Sequence, residues 1–349
     1  MTTTVQPGAV APGAGRRATP TGRLILPADA DRDTWLNARR QGLGSSDIAA
    51  ILGISRFGNA LSVYYDKIGG LPLESDDSEP ALWGRLNEET VAREWARRNR
   101  SVVRRVGLVA NIDRPWQMCT LDRRVLECPL ADGRERCALE VKCRDKMKAP
   151  QWRTGCPDDV LAQTLWQADV CGYDHLHVAV LIGGNDYRQF VVRVGDHQQL
   201  IADLRTAGAN AWQQITQRTP PALAGDADPD VLLALYEQLH PHRDGGFVQI
   251  AREEQAHDDL TEYVQAAADE TDAKKRKTAA KARLVARLGN AEQALVGDRI
   301  AYAYEPASRE HVDVSRLRAE FPDAYAACVE DRTHRRLTIP TAIRKRYAA

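Results

Sequence analysis

Apolar positions recur at helical spacing in the first hundred residues and at strand spacing after them. In DADRDTWLNARRQG, Trp35 and Leu36 supply the contacts of a first helix. GLGSSDIAAILGIS places Ile48, Ala49, Ile51 and Leu52 on a second helix, capped by Ser45 or Ser46 and ended by Gly53. Leu61, Tyr64, Tyr65 and Ile68 mark a short third helix that stops at Gly69-Gly70. A polar connection over 70–80 precedes ALWGRLNEETVAREWARR, a longer helix patterned by Leu86, Val91 and Trp95. The period changes after Arg100. VVRRVGLVAN reads as a strand and turn, MCTLDRRVLECPL as a second strand, ADGRER as a turn and CALEVKCRD as a third strand. In the last, Ala138, Leu139, Val141 and Cys143 suit a half-buried sheet edge. DDVLAQTLWQADVCG is a helix ending at Gly172. HLHVAVLIGG and DYRQFVVRV are two strands joined by Gly183-Gly184-Asn185, and ADLRTAGANAWQQI is a closing helix. Helices, three strands, a helix, two strands and a helix predict an α/β core with a central mixed sheet flanked by helices.

The two ends read differently. Residues 1–21 hold few apolar positions and are expected to be a mobile tail. The α/β domain is assigned to 22–220, and RTPPALAGDADPD opens a linker assigned to 221–249. Residues 250–349 form a mainly helical extension: a helical pair over about 250–289, then a strand and a helix. No internal repeat is visible.

Composition narrows the function classes. The chain has 349 residues, 43% of them apolar, which is ample for a buried core. Lys plus Arg and Asp plus Glu are both 48, so net charge is zero. That argues against an all-round basic coat for nucleic acid but leaves a local groove open. No apolar run reaches the roughly 18 residues of a membrane span, and the N-terminus has Gly, Pro and Thr where a secretory signal needs an apolar segment. A cytoplasmic protein is expected. Six of seven cysteines fall between Cys119 and Cys171, with none of the two-residue spacings common in zinc and iron–sulfur sites. They are read as reduced, small apolar residues. His175 and His177 alternate with Leu176 and Val178 and are assigned to the sheet surface, not to a metal.

Candidate chemistry centres on Asp122 and the strand segment Glu140-Val141-Lys142. Glu140 and Lys142 are two apart, so both point to one face while Val141 points to the other. A hairpin would bring Asp122, at the end of the preceding strand, beside Glu140. Two adjacent carboxylates repel unless a cation sits between them, and a hard divalent cation such as Mg²⁺ meets that need. The Val141 carbonyl is a natural further ligand, and Lys142 stands where it can hold a water or offset developing negative charge. Glu88, on the helix four residues after Gly84, is a third candidate carboxylate.

These segments resemble the YqaJ-type viral recombinase family, the lambda-exonuclease-like branch of the PD-(D/E)XK nucleases. WLNARRQGLGSSDIAAILGIS, WGRLNEETVAREW, CTLDRRV, LEVKC and LAQTLWQADVCG match the family's motifs in order and spacing over about 33–220. Asp313 to Leu317 and Pro322 to Tyr325 resemble the ending of longer phage members.

The resemblance implies a restriction-endonuclease-like core. It makes Asp122 and Glu140 metal ligands for Mg²⁺, with Mn²⁺ as substitute and the Val141 carbonyl completing the set, and it gives Glu88 a second metal, reached through water. Lys142 becomes the catalytic lysine, and Gln163 lines the site. Arg39 and Ser46 fall on the positions that hold the DNA 5′-phosphate. Where the family has Gly after the Asp, this chain has Arg123, which is compatible with a phosphate contact. The implied activity is a 5′→3′ exonuclease on double-stranded DNA ends, serving homologous recombination beside a single-strand annealing recombinase, in a homotrimeric ring. An endonuclease or repair nuclease of the same fold, and a non-catalytic recombination scaffold, are the alternatives. Trp83, Trp95, Trp152, Trp166 and Trp212 are read mostly as core, with Trp152 the one to touch a base. The cluster Arg97, Arg98, Arg100, Arg104 and Arg105 is either a DNA channel or a solvated edge, and Lys274–Lys277 share that ambiguity.

Overall fold

The computed structural model describes residues 16–73, 78–130, 137–222, 229–240, 246–251, 255–308, 312–330 and 336–348. Two compact units divide the chain, Met1–Arg243 and Asp244–Ala349. The expected tail over 1–15 and the ADGRER turn lie outside the described residues.

The first unit opens with β1 (Gly22–Leu26), α1 (Arg32–Arg39), α2 (Ser45–Ile51), α3 (Ala60–Lys67) and α4 (Glu79–Asn99). Side chains start three of these helices. Asp31 accepts from the Thr34 amide, Asn59 and Ser62 cap α3 reciprocally, and Ser78 accepts from the Ala81 amide. α2 is capped by Gly44, not by Ser45 or Ser46; the Asp47 carboxylate accepts the Gly44 amide instead.

Four short strands follow, β2 (Val103–Arg104), β3 (Leu108–Asn111), β4 (Met118–Thr120) and β5 (Arg123–Val125). Then come β6 (Cys137–Arg144), α5 (Asp158–Cys171), β7 (His175–Ile182), β8 (Asp186–Arg193), α6 (Gln198–Thr216) and α7 (Pro229–Leu239). α7 lies within the stretch read as linker. α5 stops at Gly172, whose φ of 68° is left-handed and whose amide bonds the Ala168 carbonyl at 2.8 Å.

The central sheet has the order β2-β5-β6-β7-β8; β6 and β7 are parallel and the other pairs antiparallel. This is the mixed sheet flanked by helices that the pattern predicts. Strand β6 is central, however, not an edge. Ala138 shares a core with Leu165, Trp166 and Val178, while Cys137, Leu139 and Val141 share another with Val91, Ala92 and Trp95 of α4. The segment read as one strand over MCTLDRRVLECPL is split. β4 joins a second sheet, β1-β3-β4, and β5 joins the central one. Residues 16–21 are not a free tail: Thr19 is buried and the Thr21 hydroxyl donates to the Val170 carbonyl at 2.9 Å.

In the second unit, residues 256–288 form one helix, α8 (Ala256–Leu288), not a pair. No Gly or Pro interrupts those residues, so nothing in them favours a turn. A hairpin of β9 (Gln293–Val296) and β10 (Arg299–Ala303) follows, then α9 (Val314–Glu320), α10 (Pro322–Cys328) and α11 (Thr341–Tyr347). The Tyr302 hydroxyl donates to the Leu284 carbonyl of α8, and the Tyr347 ring stacks on His257. Lys274 to Lys277 are exposed on α8.

Candidate active site

Glu140 is buried at the centre of the first unit, on the sheet face covered by α5. Its Oε1 accepts from Gln163 Nε2 and its Oε2 from Gln167 Nε2, both at 2.7 Å. Lys142 Nζ pairs with Glu140 Oε1 and donates to Gln163 Oε1 at 2.9 Å. The β5–β6 register sets Arg123 opposite Leu139, which carries Asp122 to the level of Glu140. Asp122 Oδ2 accepts the Val141 amide at 2.7 Å. The hairpin thus assembles Asp122, Glu140, Val141, Lys142 and Gln163 in one place.

The cluster carries more negative than positive charge. Burial, then the neighbouring Glu140, pushes the Asp122 carboxyl well above the usual carboxylate range; Lys142 and the Val141 amide oppose them, and Glu88 adds to the rise. The Cys156 thiol is pushed up to about 12 by burial, with Asp159 and Glu140 contributing. Carboxylate oxygens held together against their own repulsion are a fitting donor set for a hard divalent cation. Gln167 Oε1 adds a buried polar atom with no hydrogen-bond partner beside them.

Glu88 stands nearby on α4, tied to an arginine. Arg123 is buried, and its Nη1 donates to Glu88 Oε1 and to the Asp122 carbonyl, each at 2.5 Å. Its Nη2 reaches Glu89 at 2.7 Å. Arg123 is therefore a buried tether between β5 and α4, and the reading of it as a phosphate contact is not met. Two carboxylates on α4 draw the guanidinium inward.

Arg39 and Ser46 also meet. Arg39 Nη2 lies 2.5 Å from Ser46 Oγ and 2.6 Å from Asp47 Oδ1. Asp47 is buried and also pairs with Lys67 Nζ at 2.8 Å. Burial would raise its pKa, but Arg39 and Lys67 outweigh that and hold it below the usual range. Lys67 also lies 3.4 Å from Asp66, which pairs with Arg40, so three cations around two carboxylates leave a net positive corner with the Ser46 hydroxyl in it.

Several residues stand apart from their sequence reading. Trp152 is 1% exposed and packs on Phe190 with centroids 5.8 Å apart, so it cannot stack on a base. Trp83, read among the core aromatics, is 57% exposed on α4. Arg97 and Arg98 are committed to Glu94, at 2.8 and 2.7 Å. His175 and His177 are buried on the face covered by α4, not on the sheet surface. Burial, followed by the charge of His175 and Arg193, lowers His177 to about 4.

Residues missed by sequence reasoning include Gln167, Asp47 and Lys67. The spacing of Gln163 and Gln167, one helical turn apart on α5, was the available signal. Arg144, at the end of β6, was also missed. Burial lowers its pKa, with Asp159 opposing and the nearby Arg56 reinforcing the effect.

Residues 34–174 match the YqaJ-like viral recombinase domain. A protein of Bacillus subtilis (strain 168), the uncharacterized protein YqaJ, is 24% identical over 322 residues, covering 90% of this chain and 96% of that one. The structure of an alkaline exonuclease from Laribacter hongkongensis, LHK-Exo, aligns with 15% identity and a TM-score of 0.44, over 54% of this chain and 94% of that one. The same exonuclease in complex with dAMP aligns with 16% identity and a TM-score of 0.45, over the same shares.

Proposed function

Through residues 34–174 the chain belongs to the YqaJ-like viral recombinase family, and from that premise we propose that it is a Mg²⁺-dependent deoxyribonuclease, a 5′→3′ exonuclease on duplex DNA ends. The observation that carries the reading is the placement of Asp122 level with buried Glu140 across the β5–β6 hairpin, Asp122 accepting the Val141 amide and Glu140 bound by Lys142 and Gln163. In this reading Asp122, Glu140 and the Val141 carbonyl would hold the cation, with Glu88, tied to Arg123, as a further carboxylate beside them. When bound, such a cation would supply Lewis acidity, polarising the phosphate and a water toward attack.

The chain's own residues do the rest. Gln163 and Gln167 fix both oxygens of Glu140, so its carboxylate cannot rotate away. Lys142 holds the attacking water by hydrogen bond and offsets negative charge developing on the phosphate. Asp122, anchored by the Val141 amide, keeps one oxygen outside that bond for the cation. Arg39 and Ser46 receive the 5′-phosphate; Arg39 supplies the charge-assisted contact, with Asp47 setting its orientation. Mn²⁺ replaces Mg²⁺, and the products feed a single-strand annealing recombinase.

The test is digestion of linear duplexes bearing a 5′-phosphate or a 5′-hydroxyl, beside a closed circle, in Mg²⁺. The reading expects shortening of linear DNA, faster from phosphorylated ends, with the circle intact. Cutting of the circle at a comparable rate would replace the exonuclease with an endonuclease.

A further inference from the structure

A second cluster lies on the other face of the same sheet. Cys128, Cys137, His175 and His177 are all buried, and one ligand atom from each lies within 4.8 Å of every other. Cys128 Sγ is 3.1 Å from His175 Nε2 and 3.5 Å from His177 Nε2. The two imidazoles meet edge to face at 5.1 Å, and Trp95 of α4 covers His177 at 4.8 Å. The strands explain the convergence. Cys137 opens β6, His175 opens the parallel neighbour β7, and His177 pairs with Leu139. Their side chains face α4, whereas Glu140 faces α5. Cys128 follows β5 and closes the group.

We propose that Cys128, Cys137, His175 and His177 bind one zinc ion in a closed structural site, separate from the carboxylates. Geometry favours this. Bonds of about 2.3 Å to sulfur and about 2.0–2.1 Å to nitrogen set tetrahedral ligand atoms about 3.3–3.8 Å apart, so only small side-chain movements are needed. Charge favours it too. Binding turns two thiols into thiolates, releasing two protons to solvent, and two thiolates with two neutral imidazoles cancel the 2+ charge. A neutral cluster suits a site where all four residues are at most 7% exposed. Four protein ligands leave no open position, so the ion is structural rather than catalytic. A two-iron cluster with Cys on one iron and His on the other does not fit, because Cys128 and His175 already touch. The ion would pin the β5–β6 segment, which carries Asp122 and Glu140, to the start of β7.

The test is metal content of the full-length chain, purified without chelator or histidine tag from zinc-supplemented culture. One zinc per chain is expected, surviving exchange into Mg²⁺ buffer and released as a mercurial reagent titrates the thiols. Cys128→Ser and His177→Gln should each lower zinc content at least about tenfold, while Glu140→Gln leaves it unchanged. Cobalt-loaded protein should show tetrahedral ligand-field bands with thiolate charge transfer, lost in Cys137→Ser. Wild-type protein with under about a tenth of an equivalent overturns the proposal. So does zinc that leaves with Glu140→Gln and stays in Cys128→Ser. Should the cysteine variants fail to fold, zinc content and mercurial release of the wild-type chain decide alone.

Discussion

The Asp122 carboxyl is held well above the ordinary carboxylate range, raised first by burial and then by Glu140. Its folded pKa exceeds its unfolded one, so between those values the folded state holds more protons than the unfolded state. Stability of the metal-free chain therefore falls as pH rises through that window, and the penalty is absent below the ordinary carboxylate range. Asp122→Asn should raise the melting temperature without metal at neutral pH, and the gain should vanish in acid. A gain that grows as pH falls would contradict this. Lys142→Ala should keep the fold and lower turnover about 10²–10⁴-fold, measured as acid-soluble nucleotide release. Arg39→Ala removes a charge-assisted contact worth about 1.5–3 kcal/mol, so it should slow 5′-phosphorylated ends about ten- to hundred-fold more than 5′-hydroxyl ends. Equal slowing on both ends would make Arg39 a general or structural residue. Most of these residues were legible because Glu-x-Lys on a strand and Arg39 before a Gly-Ser-Ser-Asp helix start are local patterns. Arg123 was not, because the partners that bury it, Glu88 and Glu89, lie 35 and 34 positions away along the chain.

At the scale of elements, α5 matters most, since Gln163 and Gln167 on it fix Glu140. Its position depends on α6, which approaches closely at Gly208: an added Cβ there would lie 2.5 Å from the Trp166 ring. Gly208→Ala should cost about 1–3 kcal/mol through overpacking, seen as a lower denaturation midpoint. An unchanged midpoint would mean the two helices have room to separate. Amphipathic periodicity made α1 to α6 and the strands β6 to β8 legible. It could not show sheet order, so β6 read as an edge although two helical layers bury both its faces. Nor could it show that Leu121 and Asp122 divide a strand between two sheets. The Cys-His cluster was hidden for the same reason. Cys128 and His175 are 47 positions apart and meet through strand pairing, with no local spacing to betray them.

For the whole molecule, the residues of the candidate site all fall within the unit Met1–Arg243. A fragment ending at Arg243 should retain hydrolysis, and its loss would assign the second unit a part in catalysis. With zero net charge, the DNA of the proposed reading would be held by a local surface, and the homotrimeric ring that the family resemblance implies would place three such surfaces around a duplex. Light scattering after size exclusion should then give about three times 38.7 kDa; a strict monomer with and without DNA would discard the ring. The nuclease assignment itself does not depend on that mass. Its most direct measurement is nucleotide release from linear duplex DNA by the wild-type chain and Glu140→Gln, each with Mg²⁺ and with EDTA. Release by wild type in Mg²⁺, abolished both by EDTA and by Glu140→Gln, is the predicted result, whereas undiminished release in EDTA or from Glu140→Gln would contradict it.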